Sequence, residues 1–293
     1  MTARVDAEIA SQPDCWERAI ETAGKQADLL PAAGSRVAVI GCGTSLHIAA
    51  AYAAAREGAG AGITDAFAAS EAFLDRGYDA IIALSRSGTT TEVLRALEAA
   101  PRSARWLAVT ADARAPVSEL VDDVVSLDYA DEQAVVQTRF ATSSLVLLAT
   151  SVGLDLSSAI AAARTVLSGP PDGPLVDHPH YAFLGRGWSV GIAAEAALKV
   201  REAAAAWSES YPALEYRHGP LSAATDTSVI WFIGAPPDGM VDDVAVSGAT
   251  VVADGLEPLA ELVRAQRVAV ETARARGLDP DNPRYLTRSV VLP

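Results

Sequence analysis

The chain has 293 residues, 50% of them hydrophobic, and this length and composition allow two globular domains with buried cores. Its 37 acidic residues outnumber its 23 basic residues, and the formal net charge of −14 argues against nucleic acid as a partner. No apolar run is long enough to cross a bilayer, so no membrane partner is expected.

The amino-terminal stretch MTARVDAEIASQPDCWERAI lacks the apolar core of a signal peptide. Cys15 and Cys42 form neither a disulfide framework nor a metal-ligand spacing, and the four histidines are not clustered. A reducing cytoplasm is therefore the expected location, and no metal or other cofactor is expected.

The first half of the chain alternates apolar strands with helices, after a helical segment that ends near Pro31 and Gly34. Alternation of this kind is typical of parallel sheets. Predicted strands lie at 37–40, 81–84, 106–109 and 124–127, and predicted helices at 47–58, from residue 92, at 141–152 and at 156–167. The stretch SGPPDGP, at 168–174, predicts a linker.

The same pattern begins again after the linker. VAVIGCGTS at 37–45 matches YAFLGRGWS at 181–189, with two glycines and one serine in register, and this indicates an internal duplication. Further strands are predicted at 228–233 and 251–252, followed by a long helix at 259–277 and a tail.

Repeated strand, glycine turn and helix predict an α/β fold with parallel, doubly wound sheets flanked by helices. The expected divisions are a helical segment at 1–34, a first subdomain at 35–167, a second at 175–277 and a C-terminal tail at 278–293. Ligands of such sheets bind at the carboxyl ends of the strands. The GCGTS and SRSGTTTE loops are therefore expected to form one pocket.

The stretch IIALSRSGTTTEVLRALEAA, at 81–100, places hydroxyl side chains between a buried strand and a helix. Hydroxyls and backbone N–H groups at the start of a helix can bind an anion. An ordinary helix cap is the alternative, but a cap needs one hydroxyl and this loop offers several. A dinucleotide is disfavoured because Leu46 stands where its fingerprint requires a third glycine.

In the second half, Glu195, Lys199 and Glu202 are spaced to line one face of an alanine-rich helix. The alternative is a solvated salt-bridge stripe. His218 precedes Gly-Pro, so a tight turn is expected to display its ring, either as an acid/base group or as a structural donor.

Six motifs of the chain, taken together, resemble those of the sugar isomerase (SIS) family. They are GCGTS, SRSGTTTE, VVQTRF, FLGRG, EAALKVREAAAAWSESYPALEYRHGPL and DNPRYLTRSV. The likeness is strongest to the isomerase half of glutamine–fructose-6-phosphate aminotransferase and to SIS-type glucosamine-6-phosphate deaminases. The resemblance covers roughly residues 36–290, in the order of the family's motifs. It implies two SIS subdomains, each with a five-stranded parallel sheet.

The resemblance also implies a role for individual residues. Glu202 matches the base that moves a proton between C1 and C2, and His218 matches the ring-opening histidine, which the neighbouring subunit of a homodimer donates. Glu195 and Lys199 match the charged neighbours of the base. The residues implied to contact the sugar phosphate are Gly43, Thr44, Ser45, Ser85, Arg86, Ser87, Thr90, Val135 and Gln137.

The implied activity is aldose–ketose isomerisation or deamination of a hexose or hexosamine 6-phosphate. A glutaminase half is not matched, which favours deaminases or simple isomerases over glutamine-dependent synthases. The alternatives are a non-catalytic phosphosugar sensor and a deglycase or isomerase for another sugar phosphate.

Arg288 departs from the family pattern, because the tail of the aminotransferase carries a lysine there that forms a Schiff base. A guanidinium stays protonated and cannot form an imine. Arg288 is therefore expected to hold a hydroxyl or enolamine oxygen. The alternative is that it caps the last strand or faces solvent.

Overall fold

A computed structural model describes residues 3–100 and 102–292. The chain divides into two units, each with one parallel sheet. The first-sheet unit comprises residues 14–133, 137–156 and the tail from 287. The second-sheet unit comprises the residues before 14, residues 134–136 and residues 157–286.

The first-sheet unit has five parallel strands in the order β2-β1-β3-β4-β5. The central strands β1 and β3 are wholly buried, as expected for parallel strands covered on both faces. The strands are β1 (Val37–Gly41), β2 (Thr64–Ala68), β3 (Ala80–Leu84), β4 (Arg105–Thr110) and β5 (Asp123–Ser126), and the helices are α2 (Gln12–Lys25, which begins in the other unit), α3 (Thr44–Gly58), α4 (Thr91–Ala99) and α5 (Arg139–Ser151).

The second-sheet unit has four parallel strands in the order β7-β6-β8-β9. Its long helices α7 and α9 pack against each other and are largely buried. The strands are β6 (His180–Gly185), β7 (Trp207–Pro212), β8 (Ser228–Phe232) and β9 (Thr250–Val252), and the helices are α1 (Arg4–Ala10), α6 (Ser157–Ser168), α7 (Ser189–Ala204), α8 (Met240–Ala245) and α9 (Pro258–Ala275).

Glycine tightens the turn after the first strand of each sheet. A Cβ on Gly41 or Gly185 would lie 2.7 Å or 2.3 Å from atoms of the serine four residues later, too close for any side chain. The second glycine of each turn has a left-handed backbone, with φ 54° at Gly43 and 57° at Gly187. The repeated strand, turn and helix predicted from the sequence is present in both units.

The α/β fold with parallel sheets is confirmed, but the prediction of five strands in the second sheet is wrong. After β9 the chain reaches Pro258, at the start of α9, within a few residues, and the described residues beyond α9 form no strand. The elements β2, β7 and α8 are also absent from the prediction. No helix in the described part of the chain is long and apolar enough to span a membrane.

A buried carboxyl group lies beneath the second sheet. Glu261, in the first turn of α9, is fully buried and accepts a hydrogen bond from Trp231 Nε1 at 2.8 Å. Its other oxygen has no hydrogen-bond partner among the described residues. Burial raises the pKa of Glu261 to about 7, although Trp231 and Arg264 oppose the rise.

This buried carboxyl makes stability depend on pH. Between pH 4.5, the ordinary pKa of the group, and about 7, the folded chain keeps a proton that the unfolded chain has lost. The free energy of unfolding therefore falls as pH rises through that range. The substitution Glu261→Gln keeps an acceptor for Trp231 but cannot titrate. We expect its free energy of unfolding, relative to that of the wild type, to be about 2–3 kcal/mol higher at pH 8 than at pH 5.

Denaturant unfolding of both proteins at the two pH values measures this difference. Glu98→Gln, on the exposed face of α4, is the matched control and should show no such change. An equal effect of Glu261→Gln at both pH values would contradict the prediction.

Candidate functional site

The hydroxyl loop (residues 85–90) lies between β3 and α4, at the carboxyl edge of the first sheet. The GCGTS turn follows β1 and the hydroxyl loop follows β3. Because β1 and β3 are neighbours in the sheet, these two loops leave adjacent strands. The strand order reverses here, and open α/β sheets bind ligands at such a position. The structure therefore brings the two predicted loops to the same edge of one sheet.

Some hydroxyls at this edge are used within the protein and others are available. The N–H of Gly88 donates to Ser85 Oγ at 3.1 Å, which bends the hydroxyl loop. Thr90 precedes α4, but its side chain makes no capping hydrogen bond. In the GCGTS turn Thr44 is buried, and no described residue bonds Ser45 Oγ. The hydroxyls of Thr90 and Ser45 are thus not engaged in the hydrogen bonds that shape these two loops.

A triangle of hydroxyls joins the hydroxyl loop to the tail of the chain. Thr89 Oγ1 lies 3.0 Å from Ser87 Oγ, and both lie within hydrogen-bond distance of Ser289 Oγ, at 2.8 Å and 3.1 Å. Ser289 lies in the DNPRYLTRSV motif, but no sequence pattern indicates its contact with Ser87, which is 202 residues earlier in the chain.

The guanidinium of Arg86 points into the protein. Its side chain is 1% exposed, it lies 3.9 Å from the buried carboxylate of Glu132, and it donates to the carbonyl oxygen of Arg288 at 2.9 Å. The side chain anchors the tail.

The tail from Thr287 to Leu292 lies along the hydroxyl loop. The N–H of Thr91 donates to the carbonyl of Val290 at 3.1 Å, and the N–H of Leu292 donates to Thr91 Oγ1 at 2.9 Å. The guanidinium of Arg288 donates to Asp131 and to the backbone carbonyl of Glu132. These contacts occupy donors of Arg288 that were expected to hold a substrate oxygen.

In the second-sheet unit, Glu195, Lys199 and Glu202 form a buried charged trio on α7. Lys199 Nζ lies 3.3 Å from Glu195 Oε1 and contacts Glu202 directly. Burial disfavours the ammonium, but the two carboxylates outweigh it and raise the pKa of Lys199. The predicted face is therefore confirmed, and the solvated-stripe alternative is wrong. Only Glu202, with 19% of its side chain exposed, reaches the surface.

Glu202 lines a cavity of about 660 Å³ in the second-sheet unit. The end of α7 forms one wall, and the segment from Gly277 to Leu286 forms the other. Arg201, also in the lining, donates to the carbonyl of Ser208 at 2.6 Å, and burial lowers its pKa. The wall formed by the tail segment includes Arg284, a second arginine beside this cavity.

His218 lies on the exposed turn between two short 3₁₀ segments, Ala213–Arg217 and Pro220–Ala223. Its N–H donates to the carbonyl of Glu215 at 2.9 Å. The side chain of Arg217 pairs with Asp243, so it is engaged elsewhere. The predicted display of the ring is present.

Val135 and Gln137 belong to different units, although they are two residues apart. The N–H of Val135 donates to the carbonyl of Asp281 at 3.1 Å. Gln137 Oε1 is buried and lacks a partner in the described residues. Across 3–100 and 102–292, no cluster of His, Cys, Asp and Glu side chains could hold a metal ion.

Comparison with known proteins identifies relatives in both sequence and fold. The aminotransferase "Glutamine--fructose-6-phosphate aminotransferase [isomerizing]" of Symbiobacterium thermophilum is 27% identical over 326 residues, which cover 88% of this chain and 52% of that protein. The Xylella fastidiosa protein of the same name is 33% identical over 143 residues, 39% of this chain and 23% of its own length. The chain thus spans about half the length, or less, of these curated relatives.

Solved structures share the fold over nearly the whole chain. Glucosamine-6-phosphate deaminase from Thermotoga maritima superposes with a TM-score of 0.81 at 24% identity, covering 98% of this chain and 99% of that one. The C-terminal domain of the aminotransferase from Francisella tularensis gives 0.81 at 19% identity, with coverages of 97% and 98%.

Tagatose-6-phosphate ketose/aldose isomerase from Escherichia coli gives a TM-score of 0.78 at 19% identity, covering 97% of this chain and 95% of that one. No family model matches the chain. The resemblance to the sugar isomerase family is nevertheless confirmed, by sequence to the aminotransferases and by fold to SIS-type isomerases and deaminases.

Proposed function

We propose that the chain is an enzyme that isomerises a hexose 6-phosphate or deaminates a hexosamine 6-phosphate. The observation that carries the proposal is the trio on α7. Two carboxylates share one buried ammonium, and the member that opens onto a 660 Å³ cavity is Glu202. The names of the relatives, an aminotransferase of fructose 6-phosphate and a deaminase of glucosamine 6-phosphate, agree with this substrate class.

Glu202 acts as the base in this proposal. It removes the proton from C2 of the open-chain amino sugar, which leaves an enolamine, and returns a proton to C1. The product is the imine of the ketose, to which water adds as ammonia leaves. Lys199 contacts Glu202 directly and holds this carboxylate in place.

The hydroxyl loop binds the 6-phosphate in this proposal, and His218 opens the sugar ring. Ser87 and Thr90 supply hydroxyls, and backbone N–H groups in the first turn of α4 supply further donors. Phosphate binding positions the reacting end of the sugar, so its energy contributes to the rate. The homodimer with shared sites that the resemblance implies stays a prediction.

We further propose that no lysine forms an imine with the substrate. The sequence contains two lysines, Lys25 and Lys199. Lys25 pairs with Glu21 on the surface of α2, and the raised pKa of Lys199 keeps its amine protonated and poorly nucleophilic. In deamination the substrate supplies its own nitrogen.

A non-catalytic phosphosugar sensor is the second candidate. A sensor needs the hydroxyl loop but has no use for a partly exposed carboxylate beside a buried ammonium. Catalysed exchange of substrate hydrogen separates the two functions, because a binding protein does not exchange C1 or C2 hydrogen with solvent.

Removal of a phosphate donor should weaken substrate binding. We expect Ser87→Ala to raise KM for glucosamine 6-phosphate about tenfold or more, since a hydrogen bond to a charged group contributes about 1.5–3 kcal/mol. Ser168→Ala, whose hydroxyl donates only to a carbonyl within α6, is the control and should leave KM unchanged. Equal binding of glucosamine and glucosamine 6-phosphate by the wild type would refute the phosphate role.

Glu202→Gln should abolish proton transfer while the fold is kept, because an amide of the same shape cannot accept the proton. Incorporation of deuterium from solvent at C1 or C2, followed by NMR, measures the loss. Glu98→Gln is the control on the exposed face of α4. Exchange at the wild-type rate in Glu202→Gln would show that this carboxylate is structural.

Borohydride added during turnover should leave the mass of the protein unchanged, because Lys25 lies on the surface of α2 and the raised pKa of Lys199 keeps its amine protonated. Intact-protein mass spectrometry before and after reduction makes the measurement. A sugar adduct on Lys199 would return the protein to the Schiff-base class.

A further inference from the structure

The hydroxyl triangle places an oxygen of the protein where an anion would bind. Ser87 Oγ and Thr89 Oγ1 both approach one atom, Ser289 Oγ, at 3.1 Å and 2.8 Å. Two hydroxyls converging on one oxygen is the arrangement that holds a phosphate oxygen. Ser289 therefore occupies the position that one oxygen of a phosphate would take.

We infer that Ser289 is an internal competitor of the phosphate, so that an anion must displace the tail from the hydroxyl loop before it can bind. The inference rests on the proposed phosphate role of the hydroxyl loop. A phosphate oxygen that accepts from Ser87 and Thr89 takes both donors from Ser289. The two oxygens cannot share one position.

Displacement of Ser289 extends to its neighbours in the tail. On either side of it, the carbonyls of Arg288 and Val290 accept from Arg86 and from the N–H of Thr91. Further along the tail, the N–H of Leu292 donates to Thr91 Oγ1 at 2.9 Å. Ser289 lies in the middle of these backbone contacts, so displacement of its backbone, unlike rotation of its side chain alone, weakens the contacts that flank it.

The contact has a direct consequence for affinity. A site closed by an internal hydroxyl binds a ligand only in the molecules in which it is open. Its apparent affinity is therefore the intrinsic affinity multiplied by the open fraction. Removal of the hydroxyl should therefore strengthen phosphate binding. If Ser289 instead helped to coordinate the phosphate, the same change would weaken binding. The two possibilities predict opposite signs.

The test is titration of the full chain with inorganic phosphate, followed by amide NMR, at ionic strength held constant with chloride. We expect Ser289→Ala to bind phosphate about fivefold more tightly than wild type, the factor that corresponds to one hydrogen bond of ordinary net strength. Ser289→Thr, which keeps the hydroxyl, should bind as wild type does, and so should Ser168→Ala. Hydrogen exchange at the Leu292 amide should speed up in wild type as phosphate is added.

The outcomes separate this inference from the proposed function. Weakened binding in Ser87→Ala together with equal or weaker binding in Ser289→Ala would overturn the competition and leave the phosphate role of the hydroxyl loop intact. No phosphate binding in any variant would overturn both. Tighter binding in Ser289→Ala with faster exchange at Leu292 would establish the competition.

Discussion

The close approach of a strand end to the helix that follows it is the constraint on which both units depend. At Gly41 and at Gly185 a side chain would collide with the first turn of that helix, so only glycine fits. The tight turn directs the N–H groups of α3 and α7 toward the edge where each strand order reverses. In the first sheet the hydroxyl loop lies at the same edge, and the candidate anion site follows from this geometry.

Charge balance governs the arrangement of the trio on α7. One ammonium between two carboxylates leaves the trio with a net negative charge inside an alanine-rich helix, and a buried charge is costly unless it is paired. Lys199 contacts both carboxylates and so offsets much of the free-energy cost of burying their charge. Glu195 is fully buried, so the remaining charge is best solvated at Glu202. Glu202 is therefore the member of the trio that solvent and a ligand can reach.

The sequence predicts the interior of each sheet better than its edges. The strands β1, β3, β6 and β8 are apolar runs because they are covered on both faces. The missed strands β2 and β7 are edge strands, and their sequences TDAFA and WSESYP mix polar and apolar residues because they are only partly buried. The trio was predictable because its spacing is local to one helix. The partnership of Ser289 with the hydroxyl loop was not, since no local pattern links residues so far apart in the chain.

Two arginines near the hydroxyl loop, Arg86 and Arg288, are already paired with carboxylates, so an anion at the candidate site would depend mainly on neutral donors. Arg86 faces the buried carboxylate of Glu132, and Arg288 pairs with Asp131. A paired guanidinium adds little field for an incoming phosphate, because the neighbouring carboxylate cancels most of its charge. The donors that remain are neutral hydroxyls and backbone N–H groups at the start of α4. Recognition by such donors depends on their number and direction, so an internal hydroxyl can compete for them although it carries no charge.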